Sequence, residues 1–237
     1  MKPALAILCA VLLGSTVSID AASDAKAALP RGGRVGWARL ITSDRNWDVH
    51  RGNDPLLAEF VRTQTTLNLD ATTYAANPAD LAQLCSYPLI FTNNLVHVRK
   101  AKDFDNLREY LIRGGFLWVD ACANASITGM PFDAFRKRHA ELFAKLFPKA
   151  ELRLLPDDHE IYRCYFAVNL DLLYSTQRAA ADPAPAPDNG VYGLFENGRM
   201  VALLSLSTLQ CGWPNKPPRV PECMKMVTNI YVYAMTR

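Results

Sequence analysis

The side chains best suited to chemistry are a thiol, an imidazole and a set of carboxylates. Cys122 follows a buried run ending at Asp120, just before a region where a helix should begin. A thiol placed there can have a lowered pKa and act as a nucleophile. His159 could accept its proton, oriented by Asp157, Asp158 or Asp120. Asp120, Asp157, Asp158 and His159 also offer oxygen and nitrogen ligands of the kind zinc or manganese takes. Helix capping by the aspartates and a hydrogen-bonded surface histidine account for the same residues more simply. No metal and no cofactor is therefore expected. His50, His97 and His139 show no partner in the sequence, and His139 falls on the apolar face of its helix. A further group, Trp47, Asp48, Asn93, Asn94, Asp158 and Trp213, falls in segments where a ligand would be met, although packing explains the two tryptophans better than a ligand platform does.

The elements that position these residues are legible from periodicity. Val35 to Ile41, Asn68 to Tyr74, Pro88 to Thr92, Phe116 to Val119 and Glu151 to Leu155 read as strands. Asp54-Pro55 reads as N-cap and first helical position, with Leu56, Leu57, Phe60 and Val61 as the buried stripe behind it. Asn77-Pro78 repeats that signal and opens a short helix through Leu84. Asp103 to Arg113 is helical and is stopped by Gly114-Gly115. Pro131 to Phe147 carries Phe132, Phe135, Leu142, Phe143 and Leu146 at helical spacing. Ser175 to Asn189 reads as a loop. Val191 to Glu196 and Met200 to Ser207, joined by Asn197-Gly198, read as a hairpin. Pro221 to Thr236 closes the chain as an amphipathic helix. Strands alternating with helices predict an α/β domain with a mostly parallel sheet and the hairpin at or near one edge. Ligands of such sheets bind at the carboxyl ends of the strands, near a switch in strand order. The Trp47-Asp48 loop, Asn93-Asn94, Asp120 with Cys122, and Asp157-Asp158-His159 should meet there.

The chain has 237 residues, 50% hydrophobic, 21% charged and 10% aromatic, which is globular composition and excludes a disordered or fibrous protein. A net charge of +3 is too small and too dispersed to build a nucleic-acid surface. Lys2, the apolar run Ala4 to Gly14 and the small residues through Ser23 form the layout of a secretory signal peptide, assigned to residues 1–22. Residues 23–33 then read as a flexible leader and 34–237 as a single domain. A periplasmic or secreted location follows, with no membrane contact after cleavage. Of six cysteines, all but Cys9 remain in the mature chain. An oxidising compartment favours pairing. Cys211 and Cys223 flank a proline-rich loop that a disulfide would pin, and Cys122 with Cys164 is a second possible pair. No CxxC occurs, and the Cys and His spacings match no structural zinc site.

Tyr87 to Thr92, Leu107 to Leu111, and Gly114-Gly115-Phe116-Leu117-Trp118-Val119-Asp120 with Cys122 resemble the DUF4159 domain, a bacterial family of unknown function. Asn46-Trp47-Asp48, Asp158-His159, Tyr192 to Phe195, Asn197-Gly198-Arg199, Gly212-Trp213 and Asn229-Ile230 extend the likeness over nearly the whole mature chain. That family is similar to the class I glutamine amidotransferase-like superfamily, which implies a flavodoxin-like three-layer sandwich. Members of that superfamily include amidotransferases with a Cys-His pair. The chain departs from its relatives at Asn93-Asn94, where they tend to carry Gly-His, and around Thr208 to Trp213, where they tend to be acidic. The expectation is a domain binding a small molecule or a partner protein at the strand ends. A hydrolase or amidase using Cys122 and His159 is the alternative.

Overall fold

In a computed structural model, residues 33–122, 130–174, 190–213 and 219–237 are described. The segment expected to be a signal peptide, nearly all of the expected leader and the expected loop 175–189 lie outside them. The chain first contributes β1 (Arg34–Val35) and β2 (Ala38–Leu40). One continuous strand was expected here. The break falls at Gly36, whose missing side chain admits the Tyr74 ring and whose carbonyl accepts from the Tyr231 hydroxyl at 3.0 Å. The next expected strand is split as well, into β3 (Asn68–Leu69) and β4 (Tyr74–Ala76). Asp70 turns the chain between them, its carboxylate accepting from the Thr72 amide and the Tyr74 hydroxyl. β1 pairs with β3 in a separate two-stranded ribbon, and β2 pairs with β4.

β5 (Leu89–Thr92), β6 (Phe116–Asp120), β7 (Glu151–Leu154), β8 (Val191–Glu196) and β9 (Arg199–Ser205) complete a seven-stranded sheet of order β4-β2-β5-β6-β9-β8-β7. Every strand runs the same way except β8, the first arm of the hairpin. The hairpin turns at Asn197 (φ 50°) and Gly198 (φ 80°), both left-handed as its tight turn demands. Its first arm, β8, lies one place inside the edge, which β7 occupies, and its second arm, β9, lies between β8 and β6. The central strands are apolar on both faces. Phe91, Phe116 and Trp118 enter one core cluster, and Ile90, Leu117 and Val119 the other. This is the alternation of a sheet buried on both sides. Residues 31–237 form one compact unit.

The helices are α1 (Asp54–Gln64), α2 (Leu81–Leu84), α3 (Ala101–Ile112), α4 (Phe132–Leu146), α5 (Leu170–Leu173), α6 (Leu209–Gly212) and α7 (Arg219–Thr236). Two helix starts differ from expectation. Asp54 does not cap α1, because its carboxylate is committed to Arg39 and Thr73. α2 is capped by Asp80, which accepts from the Gln83 amide, while Asn77 closes a turn onto Ala79. On α1 the buried face is Leu57, Ala58 and Val61, with Leu56 46% exposed.

His139 of α4 is fully buried and stacked on Phe135. Its Nε2 accepts from the Leu95 amide at 3.1 Å and its Nδ1 donates to the Phe135 carbonyl at 2.8 Å. That arrangement requires the neutral ring, and burial pushes its pKa down to about 4. The unfolded imidazole titrates near 6.5. Between those values the unfolded chain holds the extra proton, so stability present above pH 6.5 is lost as pH falls toward 4. The slope is at most about 1.4 kcal/mol per pH unit. Urea midpoints measured across that range should fall for the native chain and fall less for His139→Gln, which keeps an acceptor without titrating. Parallel pH profiles would contradict this.

Candidate functional site

The strand order reverses between β2 and β5, and the carboxyl ends of β2, β5, β6 and β9 converge around that point. Beyond β2 the chain makes the loop 43–53, and its placement depends on a buried ion pair. Arg39 is 0% exposed and Asp54 2%. The guanidinium donates to both Asp54 carboxylate oxygens at 2.9 and 2.6 Å, and to the Val49 carbonyl at 3.1 Å. The Thr73 hydroxyl donates to the same carboxylate, and the Phe91 ring lies under the guanidinium carbon at 4.9 Å. Val49 also accepts from Gln210 Nε2 at 3.1 Å. The next residue, His50, is exposed and held in the left-handed region at φ 60°.

Asp120 closes β6 and is completely buried. Its oxygens accept from the Leu209 amide at 3.2 Å and the Gln210 amide at 2.9 Å. The carboxylate thus satisfies the first amides of α6 from across the sheet. Burial pushes its pKa up to about 7, against the opposing pull of those two amides. Asn93 donates from Nδ2 to the Asp120 carbonyl and to Gln210 Oε1, at 3.3 and 3.1 Å. Its Oδ1 is buried and has no hydrogen-bond partner among the described residues. Asn94 uses its side chain to accept from the Val96 amide and so caps the turn Leu95–His97.

This scaffold sets two sulfur atoms against each other. Cys122, two residues past Asp120, is buried, and Cys211 follows Gln210 in α6. Their Sγ atoms lie 3.0 Å apart. His50 joins them, so that one ligand atom from each of the three residues lies within 4.8 Å of the others.

The pairing of Cys122 with His159 is not assembled. Past β7 the chain folds back beneath α7, where Asn229 Nδ2 donates to the Ile161 and Phe166 carbonyls. His159 Nδ1 accepts from the Ile161 amide, and its ring lies against Phe195 and Tyr233. Phe195 pairs with Glu151 and Met200, so this imidazole is directed toward the amino ends of the parallel strands. β9 and β8 also separate β6 from β7, a lateral distance of roughly 14 Å at ordinary strand spacing. Asp120 and His159 therefore cannot share a ligand. Burial lowers the His159 pKa. Asp157 and Asp158 are exposed on the same outlying segment.

Trp213 is core rather than platform: it is 2% exposed and meets Trp37 edge-on at 6.1 Å. Trp47 and Asp48 are half-buried in the loop that carries His50. Among the described residues no disulfide is formed. The Cys211–Cys223 bond is replaced by the Cys122–Cys211 contact, and Cys223 packs into the core from α7. Cys164 sits against the Asn229 carbonyl of α7, so it does not pair with Cys122. Sequence reasoning missed His50, Arg39 and Gln210. The separation of His50, Cys122 and Cys211 along the chain leaves no spacing signal for any of them.

The architecture defines a mixed α/β domain whose mostly parallel sheet gathers thiol, imidazole and amide groups at a reversal of strand order. The family described as "Domain of unknown function (DUF4159)" matches residues 37–235, a span that includes every residue of this cluster, and the chain belongs to that family. No curated protein matches the chain.

Proposed function

We propose that this chain is an exported binding domain that holds a small ligand or a partner at the carboxyl rim of its sheet. The observation carrying the reading is the convergence of His50, Cys122 and Cys211 on a frame of buried polar side chains, Arg39, Asn93, Asp120 and Gln210. Buried polar groups are costly unless paired, and here they fix the loops of a rim where ligands of such sheets bind. The five strands β4, β2, β5, β6 and β9 follow the order second, first, third, fourth, fifth, which is the order of flavodoxin-like domains. It supports the three-layer arrangement and the kinship to amidotransferase-like proteins. Hydrolysis by Cys122 would need a base other than His159.

Amide exchange on protein isolated from its own host, before and after unfolding and refolding under reductant, tests the binding role. Segments 44–53, 93–97 and 206–213 should exchange more slowly in the protein as isolated, with the amino-terminal rim unchanged. Identical maps would refute a resident ligand at this rim.

Export rests on the Lys2-to-Ser23 layout. No helix among the described residues is long and apolar enough to cross a membrane. Mass spectrometry of native protein should find an amino terminus between Ser18 and Lys26. A chain retaining Met1 would refute cleavage.

A further inference from the structure

We propose that Cys122, Cys211 and His50 together bind one thiophilic metal ion, Zn²⁺, with a fourth coordination position facing solvent on the His50 side. This deepens the rim-binding reading by naming the ligand, and it rests on that reading.

The three side chains come from the loops after β2 and β6 and from α6 after β9, yet their ligand atoms lie within 4.8 Å of one another. Zinc bound tetrahedrally at about 2.3 Å from sulfur and 2.0–2.1 Å from nitrogen places its ligand atoms roughly 3.3–3.8 Å apart. The observed sulfur separation of 3.0 Å needs to open by about 0.8 Å to reach the sulfur–sulfur end of that range. A disulfide, at about 2.05 Å, would require a comparable closure. The imidazole distinguishes the two outcomes, since a disulfide has no use for a third ligand. Two thiolates offset the charge of a dication, and sulfur with imidazole selects zinc over magnesium, calcium or manganese.

The ligands are also held from behind. Val49, next to His50, has its carbonyl fixed by both Arg39 and Gln210. Asp120 fixes the amide of Gln210, next to Cys211. Asn93 holds the Gln210 side chain, and its own buried Oδ1 has no partner among the described residues. Outer-shell support of this kind orients metal ligands. His50 keeps a left-handed backbone that a non-glycine residue rarely adopts, a cost that accumulates at functional positions. Cys122 is buried while His50 is exposed, which is why the proposed open coordination position is assigned to the His50 side.

The test uses the full mature chain, reduced and stripped of metal, titrated with Zn²⁺ against a chromogenic chelator and separately with Co²⁺. One ion per chain should bind, and Co²⁺ should give an intense thiolate-to-metal charge-transfer band. Cys122→Ser and Cys211→Ser should each weaken Zn²⁺ by 100-fold or more and remove most of the band. His50→Gly, which suits the left-handed backbone, should weaken it by about tenfold or more with the fold unchanged by circular dichroism. Cys85→Ser and Cys164→Ser should alter neither readout. Absence of the band, a band undiminished in Cys211→Ser, or a native Cys122–Cys211 disulfide whose reduction yields no metal uptake would overturn the proposal. If rim protection in the exchange experiment persists without metal uptake, the binding role stands and the zinc assignment falls. Loss of both removes the site.

Discussion

Replacing Arg39 with methionine should destabilise the domain by about 3–5 kcal/mol, the range found when one partner of a buried ion pair is removed. Asp54 would be left 2% exposed, keeping the Thr73 hydroxyl as its side-chain partner among the described residues. The methionine side chain could still fill the space over Phe91, so the loss is chiefly electrostatic. For a domain of this size the midpoint of thermal unfolding should fall by roughly 10 °C. Asp54→Asn alone should also be costly, because the guanidinium would keep the Val49 carbonyl but lose both charged acceptors. The double variant Arg39→Met with Asp54→Leu should recover much of the loss, since neither charge then remains buried. A double-mutant cycle by urea denaturation gives the coupling. A single Arg39→Met cost below about 1 kcal/mol would show that the pair is not what anchors the loop. The same variant should speed amide exchange in 46–53, because Val49 loses one of its two donors. Stability and site geometry are thus tied through one side chain.

Asp120→Ala should cost about 2–5 kcal/mol and release α6. The carboxylate is the acceptor for two buried amides, those of Leu209 and Gln210. Each stranded donor carries a penalty of about 1–3 kcal/mol. The four-residue α6 contains too few hydrogen bonds to persist by its own propensity. Cys211 should therefore move away from Cys122 and react faster with an alkylating reagent, while Cys164, held by α7, keeps its rate. Asp120→Asn retains an acceptor oxygen but turns an amide group toward one backbone donor, so its effect should be intermediate. Unchanged Cys211 alkylation in Asp120→Ala would show that the cysteine contact is independent of this cap.

The likeness to the family rested on runs such as Gly114 to Asp120, and the family match over residues 37–235 agrees with it. The superfamily analogy was a poorer guide to the site. It points to a histidine following a strand, but the segment after β7 folds back under α7 because Asn229 captures the Ile161 and Phe166 carbonyls. A tertiary hydrogen bond spanning more than sixty residues left no local pattern to read.

What the sequence determined by itself was local. Asn197-Gly198 sets a hairpin because both residues tolerate left-handed backbone. Leu89 to Phe91 and Phe116 to Val119 are apolar at consecutive positions and so become strands buried on two faces. Gly114, at φ +103°, ends α3 where glycine was expected to end it. Only tertiary structure decided that Asp54 would leave its helix cap for Arg39 and that Cys211 would meet Cys122 instead of Cys223. Each of these depends on groups far apart in the chain whose desolvation must be offset in one shared interior. Periodicity can state that a side chain is buried, but which partner satisfies it is settled when the sheet order β4-β2-β5-β6-β9 brings the strand ends together.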